Sequence, residues 1–412
     1  MFYLLLITYI ICLLINKVVF NKRMKYVNII ISIWFLIAVL LSGNFYNMRE
    51  LNSEIYNYIF QFIITFELAS VFFYKFVKVK EKNVKYVPND SLITFILLMC
   101  IIINIPYLMR GINVLMVKSS FSSLRNAYLN YELCSNAMYM LQSLIIFPLG
   151  EAIGYYVIPQ CIDQKKINKN FILFLLFIFE IILFTGGRAR IIYYMLLGLI
   201  VLFENSKNIF SIIFKNKKIV ILLLLAVIGI ISITNQRNLA NGGFIYNIYV
   251  YLTGGMRLLS VYISSPEKYL LASSELFHGG VLFSGISYPF IYVLNLFGSD
   301  LTAGYYVVNK VTSLYLPIGN NTLINNGGAF IYYALRDFGS IGPFIYTILF
   351  SLLGVIVYKN RVINSNYFTR AIYYFIIIKM IFLYNEFSFA YTSVIMTVIY
   401  IWLLRKKVKS DN

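Results

Sequence analysis

The sequence predicts an all-α, polytopic membrane protein, and its composition and apolar runs support that fold class. Of the 412 residues, 60% are hydrophobic and only 12% are charged, which is too little polar surface for a water-soluble domain of this length. Apolar runs such as Ile219 to Ile231 recur along the chain, and about 20 mostly apolar helical residues cross the hydrocarbon core of a bilayer. The alternating pattern typical of a membrane β-barrel does not occur.

Eleven apolar segments are predicted to span the membrane. They lie near residues 1–16, 26–42, 57–77, 91–109, 135–158, 171–185, 191–203, 219–234, 341–358, 371–385 and 388–404. Lysine and arginine cluster in every second connection, so the formal charge of +19 indicates topology rather than nucleic-acid binding. By the positive-inside rule, these connections face the cytoplasm, which places the amino terminus outside and the carboxyl terminus inside.

The predicted domain organisation is a single integral membrane domain, residues 1–412, with one long external loop at 235–340. Two stretches of this loop, 244–252 and 281–297, are apolar and aromatic. They are expected to form interfacial helices or re-entrant segments, either of which would build a lid or a cavity wall.

Arginine is unevenly distributed between the two predicted sides. Lysine dominates the inner clusters, whereas most of the remaining basic residues are arginine: Arg49, Arg110, Arg125, Arg188, Arg190, Arg237, Arg257 and Arg336. Topology needs only positive charge, but a planar guanidinium suits phosphate or carboxylate recognition. The outer face is therefore predicted to bind an anionic ligand, although Arg49, Arg110 and Arg125 in the shorter loops also fit contacts with lipid headgroups.

The turn FTGGRAR, at 184–190, connects two short predicted spans. The turn is expected to lie below the outer membrane surface, because the helix before it is too short to cross the whole core. Arg188 and Arg190 would then line a wet pocket, and the free amides of Gly186 and Gly187 would add donors for an anion.

The long loop contains further candidate residues. Arg237 and Arg257 are candidate cations, and His278 follows Glu275 by three residues in ELFHGG. A histidine beside a carboxylate suits acid–base chemistry, although a loop histidine is as often a plain hydrogen-bonding residue. Tyr249 offers a ring for a sugar face or belongs to an aromatic belt at the headgroups.

Arg336 and Asp337 precede Gly339 and Gly342, where the last group of predicted spans begins. The pair is expected to form an ion pair that either contacts substrate or fixes a helix end. Small residues at this point permit close helix packing.

The cysteines are scattered and form no metal-ligand pattern, so the sequence predicts no metal or other cofactor.

The chain resembles the bacterial Wzy polymerases, which polymerise the oligosaccharide repeat units of O-antigen and capsule and are related to the O-antigen ligases. The resemblance rests on the FTGGRAR turn, the long outer loop before the last three spans, and GNNTLINNGGAFIYYALRDFGSIGPF at 319–344. It implies a GT-C-like helical bundle in the bacterial cytoplasmic membrane. The implied glycosyltransferase moves a growing chain from undecaprenyl pyrophosphate to a hydroxyl of the next lipid-linked unit.

The resemblance also implies roles and partners. Arg188, Arg190 and Arg257 would stabilise the pyrophosphate leaving group, with Arg188 matched through the GGR turn. The base is left open among His278, Glu275 and Asp337. Expected partners are undecaprenyl-pyrophosphate-linked oligosaccharides, membrane lipids and a chain-length regulator protein, but not nucleic acid.

Two rival functions remain at this point. A flippase or exporter of lipid-linked oligosaccharides also needs cations along its path, but the missing inverted repeat and the long outer loop count against it. An O-antigen ligase differs only in its acceptor, which hydropathy does not reveal.

Overall fold

The structure is a computed structural model that describes residues 2–20, 24–81, 84–187, 189–205, 227–229, 231, 243–272, 275–325 and 327–408. The structure is mostly helical, at 76% helix, and the described residues form two small antiparallel two-stranded sheets. This agrees with the predicted all-α class.

Within the described residues, seven helical segments are long and apolar enough to cross a membrane, which indicates a membrane-embedded protein. These segments are Phe2–Phe20, Lys25–Ser42, Glu54–Phe76, Asp90–Lys118, Asn136–Gln164, Ala329–Ile363 and Tyr367–Tyr384. The predicted spans at 171–185, 191–203 and 388–404 correspond to shorter helices. The predicted span at 219–234 lies almost wholly outside the described residues, so the number eleven stays a prediction.

The contacts divide the chain into two compact units. Unit 1 comprises Met1–Glu81, Leu239–Ile363 and Lys379–Ile395, and unit 2 comprises Lys82–Asn238, Asn364–Ile378 and Met396–Asn412. The description as one integral membrane domain stays a prediction.

Unit 1 contains the first three helices and most of the long loop. Its elements are α1 (Phe2–Phe20), α2 (Lys25–Ser42), α3 (Glu54–Phe76), α10 (Gly243–Ser264), α11 (Ser284–Leu296), α12 (Gly304–Thr312), strands β2 (Leu316–Gly319) and β3 (Thr322–Ile324), α13 (Ala329–Phe338) and α14 (Gly342–Ile363). Both predicted apolar stretches of the loop are helical, in α10 and α11. Their position outside the membrane stays a prediction.

Helices α3 and α14 pack side by side in the same direction. Ser70 and Ser351 hydrogen-bond at 3.0 Å, and Nζ of Lys359 donates to the carbonyl oxygens of Tyr74 and Val77 at 2.5 and 2.6 Å. Two predicted inner lysine clusters, around residues 75 and 359, therefore share one end of unit 1. The loop between α2 and α3 lies at the other end.

The junction of α13 and α14 depends on Gly342. A Cβ there would lie 1.9 Å from the carbonyl oxygen of Ala334, so only glycine allows the two helices to approach this closely. The predicted role of small residues at this point is confirmed.

Unit 2 contains the central helices and a sheet that joins distant parts of the chain. Its elements are β1 (Lys85–Pro88), α4 (Asp90–Lys118), α5 (Phe121–Leu129), α6 (Asn136–Leu141), a π-helical turn (Gln142–Ile146), α7 (Phe147–Gln164), α8 (Lys169–Thr185), α9 (Ala189–Asn205) and β4 (Arg405–Val408), which pairs with β1. Helices α15 (Tyr367–Ile381) and α16 (Thr392–Leu403) contribute residues to both units.

Helices α4 and α8 also run in the same direction. Near their starts, Nδ2 of Asn170 donates to the carbonyl oxygen of Asp90 at 3.2 Å. Near their ends, Gly111 is so close to α8 that a Cβ would lie 2.5 Å from the carbonyl oxygen of Leu183. Asn168 caps α8, and Gly186 ends it in the left-handed conformation, with φ at +60°. The FTGGRAR turn therefore lies at the opposite end of unit 2 from the β1–β4 sheet.

Candidate functional site

Arg257 is the most buried of the predicted catalytic arginines that the structure describes. It lies on α10 and is only 2% exposed. Its Nη1 donates to the carbonyl oxygen of Arg49 at 2.9 Å, and its Nη2 donates to Oδ1 of Asn44 at 3.2 Å and to the hydroxyl oxygen of Tyr249 at 2.7 Å. The loop between α2 and α3 thus holds the guanidinium from one side, and α10 holds it from the other.

The acceptors around Arg257 carry no charge. Among the described residues no carboxylate forms an ion pair with it, and its Nε–H has no acceptor. A guanidinium stays protonated even when it is buried, so the positive charge remains uncompensated. A buried charge of this kind is costly without a partner. An anion could supply that partner only if the site opened, because the guanidinium is almost wholly buried in this structure.

Tyr249 has a different role from the one predicted. The side chain is buried, and its hydroxyl accepts from Arg257 and donates to the carbonyl oxygen of Leu40 at 3.3 Å. Its ring packs against Phe45 at 6.0 Å and against Tyr46 at 5.4 Å. A ring packed in this way is not available to stack on a sugar, so Tyr249 instead positions Arg257.

The predicted ion pair between Arg336 and Asp337 is wrong. Neighbouring residues on a helix point in different directions, and within the described chain these two side chains have separate partners. Nη1 of Arg336 donates to the carbonyl oxygen of Leu270. Oδ1 of Asp337 accepts from Val281 N at 2.9 Å, while Oδ2 accepts from Leu282 N at 2.9 Å and from the Tyr346 hydroxyl at 2.5 Å.

Asp337 organises the loop that carries the predicted histidine. The backbone N–H of His278 donates to the carbonyl oxygen of Asp337 at 2.9 Å, and that of Phe277 donates to the carbonyl oxygen of Arg336 at 3.2 Å. Together with the bonds to its carboxylate, these contacts fasten residues 277–282 to the end of α13. All three donors to the carboxylate are internal, which supports the structural alternative for Asp337, and its candidacy as a base stays a prediction.

His278 and Glu275 both lie on this fastened loop with exposed side chains. His278 adopts a left-handed backbone, with φ at +48°, which is uncommon for a residue with a side chain. The structure therefore leaves both of them accessible as acid–base candidates, and their roles stay predictions.

Arg190 lies in unit 2, in the first turn of α9. Its guanidinium stacks on the ring of Phe147 at 3.8 Å, and it makes no hydrogen bond within the described residues. Burial and the neighbouring Tyr139 raise the pKa of Tyr128, while the charges of Arg190 and Arg125 act in the opposite direction. The two arginines therefore lie near the same phenol. A cation in the first turn of a helix opposes the helix dipole, and an anion bound there would relieve that conflict.

The backbone amides of Gly186 and Gly187 in the FTGGRAR turn have hydrogen-bond partners within the chain, contrary to the prediction. The N–H of Gly186 donates to the carbonyl oxygen of Ile182 at 2.9 Å, and that of Gly187 donates to Oγ1 of Thr185 at 3.1 Å. The expectation that both amides are free for an anion is therefore wrong. They close the end of α8, and the cations of the turn are left as the groups that could bind an anion.

A buried polar chain connects this region to the interior of unit 2. The Tyr128 hydroxyl donates to Oε1 of Gln142 at 3.2 Å, and Nε2 of Gln142 donates to Oδ1 of Asn104 at 3.4 Å. Asn104 faces Glu180 on α8, whose carboxylate is buried. Gln142 starts the π-helical turn, a distortion that is frequent at functional sites.

Two predicted site residues, Arg188 and Arg237, lie outside the described residues. Sequence reasoning missed Asn44, and it missed that the backbone carbonyl oxygen of Arg49 contacts Arg257; both residues are more than 200 positions away along the chain. No local pattern marks these contacts. Asn44 lies in a turn with φ at +38°, and Tyr46 and Asn47 in the same turn also have positive φ.

The comparisons with known proteins give no relative. No protein-family model matches the chain, and no curated protein or solved structure matches it. Fold and composition therefore define the class of protein as mostly helical and membrane-embedded.

Proposed function

We propose that this chain is a polymerase that joins undecaprenyl-pyrophosphate-linked oligosaccharide repeat units into O-antigen or capsular polysaccharide. The reaction would take place on the outer side of the bacterial cytoplasmic membrane. The observation that supports this function best is the uncompensated charge of Arg257, held by three neutral acceptors. Preorganised cations of this kind stabilise a leaving group whose negative charge grows in the transition state.

The proposed reaction is a glycosyl transfer. A hydroxyl oxygen of the acceptor unit bonds to the anomeric carbon of the donor, the bond from that carbon to the pyrophosphate oxygen breaks, and the hydroxyl proton passes to a base. The diphosphate leaves with the electron pair of the broken bond. Arg257 would neutralise its charge, and His278 or Glu275 would take the proton.

Arg190, in unit 2, is a second arginine that forms no ion pair within the described residues. Its contact with a phenyl ring leaves its N–H groups available to an anionic oxygen. Arg125 lies near the same phenol, Tyr128. These residues support an anion site, which we assign to a lipid-linked diphosphate.

The test is gene deletion in the native host, followed by complementation and separation of the surface polysaccharide by size. We expect deletion to leave one repeat unit on the final acceptor. Complete loss of surface sugar would indicate a flippase, and an accumulation of long unattached chains would indicate a ligase. Either result would overturn the polymerase proposal.

Arg257→Lys tests the site itself. Lysine keeps the charge but cannot reproduce the planar fork, so chain growth should fall by about tenfold or more, which corresponds to the loss of one charged hydrogen bond. The matched control is Arg361→Lys, the same substitution at the opposite end of unit 1, which should leave chain length unchanged. Normal chain length in Arg257→Lys, with normal amounts of protein in the membrane, would remove Arg257 from the mechanism.

A further inference from the structure

A carboxylate that the reaction scheme does not use lies in the connection between α15 and α16. Glu386 is the one acidic residue in this connection, NEFSFAY at 385–391. Its backbone N–H donates to the carbonyl oxygen of Phe382 at 3.1 Å. The neighbouring Asn385 packs on α10, where a Cβ at Gly255 would lie 2.7 Å from its Cα. The backbone next to Glu386 is therefore packed against α10, at Gly255. Arg257 lies on the same helix, two residues after Gly255.

The last residue of this connection, Tyr391, and three tyrosines beside it form a chain of ring contacts. The ring centroids of Tyr305 and Tyr391 are 5.1 Å apart, those of Tyr305 and Tyr306 are 5.6 Å apart, and those of Tyr288 and Tyr306 are 4.5 Å apart. We call Tyr288, Tyr305, Tyr306 and Tyr391 the tyrosine cluster. It joins the start of α11, the start of α12 and the end of the Glu386 connection.

The position of α11 against the connection is set by a glycine. A Cβ at Gly285 would lie 3.1 Å from the carbonyl oxygen of Tyr391 and 3.3 Å from that of Phe389. The cluster is thus held by backbone packing as well as by its rings. Burial raises the pKa of Tyr305, and the charge of Glu386 adds to the rise. The carboxylate is therefore close to the cluster.

The cluster combines exposed rings with polar groups. Tyr306 is 39% exposed, and Tyr305, Tyr391 and Glu386 are half-buried. The Tyr305 hydroxyl donates to Oδ1 of Asn309 at 3.2 Å. Tyrosines of a headgroup belt need only a wet edge and an apolar body. A carboxylate among such rings can accept hydrogen bonds from sugar hydroxyls while the rings cover the apolar face of the sugar.

We propose that Glu386 and the tyrosine cluster form a carbohydrate subsite that holds the sugars of the acceptor unit. The Glu386 carboxylate accepts hydrogen bonds from sugar hydroxyls, and the exposed ring of Tyr306 stacks on a sugar. The assignment of these sugars to the acceptor rests on the proposed polymerase function. The subsite itself recognises a neutral oligosaccharide and needs no diphosphate.

The test uses the purified full-length chain in detergent and a defined probe. The probe is the repeat-unit oligosaccharide released from the host's surface polysaccharide, free of lipid and of phosphate. Its dissociation constant is measured by ligand-observed NMR for Glu386→Gln, Tyr306→Ala and Tyr306→Phe. Tyr315→Ala is the matched control, because Tyr315 is a 66% exposed tyrosine on the same long loop. Thermal unfolding shows that each variant is folded.

We expect Glu386→Gln and Tyr306→Ala each to weaken binding about tenfold, since each loses one charged hydrogen bond or one stacked ring. Tyr306→Phe keeps the ring and should bind within about threefold of the wild type. Tyr315→Ala should bind as the wild type does. Unchanged binding in folded Glu386→Gln and Tyr306→Ala would overturn the subsite, and so would a wild-type chain that does not bind the probe.

Polysaccharide length in the host separates the two proposals. If deletion stops chain growth while Glu386→Gln and Tyr306→Ala support chains of normal length, the acceptor subsite is wrong and the polymerase function stands. If deletion leaves chain length unchanged, the polymerase function is wrong, and with it the assignment of the bound sugar to an acceptor. Shortened chains in both variants would support the two proposals together.

Discussion

Asp337 offers the sharpest test of how the site region is built, because its carboxylate is fully buried and accepts three hydrogen bonds. The perturbation is Asp337→Asn, which keeps the shape and replaces one acceptor oxygen by an N–H₂ group. In the better orientation, the amide oxygen takes the place of Oδ2 and keeps Leu282 N and the Tyr346 hydroxyl. The amide nitrogen then faces Val281 N, so two donors point at each other.

The magnitude follows from these contacts. A buried donor left without an acceptor costs about 1–3 kcal/mol. The two bonds that remain lose their charge assistance, which is roughly half of their strength. We therefore expect the free energy of unfolding to fall by about 2–4 kcal/mol. The loss of structure should begin in the loop at 277–282, because three backbone N–H groups of this loop donate to Asp337.

The assay is chemical denaturation in detergent, combined with hydrogen exchange of the amides at 277–282. Asp300→Asn is the matched control, because Asp300 is exposed, and its effect should stay within about 0.5 kcal/mol. Asp337→Asn with unchanged stability and unchanged exchange would refute the anchor role. If such a stable variant also lost chain growth, the result would favour Asp337 as the catalytic base.

Three further predictions concern packing and topology. Gly111→Ala should lower the free energy of unfolding by about 1–3 kcal/mol in detergent denaturation, because the new Cβ would lie 2.5 Å from a backbone oxygen of α8; wild-type stability would show that α4 and α8 do not approach this closely. Asn16→Leu removes the 3.0 Å hydrogen bond to the buried Glu67 carboxyl and should cost about 1–3 kcal/mol, most of which a second, apolar change, Glu67→Met, should restore; equal stability of the single and double variants would contradict this. All four native cysteines are buried, so a membrane-impermeant thiol reagent applied to cells should label Ala189→Cys but not Lys166→Cys, and the reverse pattern would place the FTGGRAR turn in the cytosol.

Sequence reasoning succeeded where the signal is local. Apolar runs of sufficient length predict helices, and the predicted span at 171–185 ends at the same residue as α8, Thr185. Gly342 was correctly identified as a point of close helix packing, because a residue without a side chain between two apolar helices has few other uses.

Sequence reasoning failed where a side chain chooses between partners. Arg336 and Asp337 are adjacent in the sequence, which suggested an ion pair. On the helix, however, their side chains point in different directions and bond to different partners. Gly186 and Gly187 were predicted to offer free amides, but α8 uses both to close its own end. These outcomes depend on local geometry that a pattern of residue types does not contain.

The sequence by itself therefore determined the membrane-embedded, helical class, because the length and apolarity of a helix decide whether lipid or water can surround it. Only the tertiary structure decided that Arg257 meets Asn44, Arg49 and Tyr249, and that Glu386 lies among tyrosines. Contacts between residues hundreds of positions apart arise when whole helices pack, and no short stretch of sequence records which faces will meet.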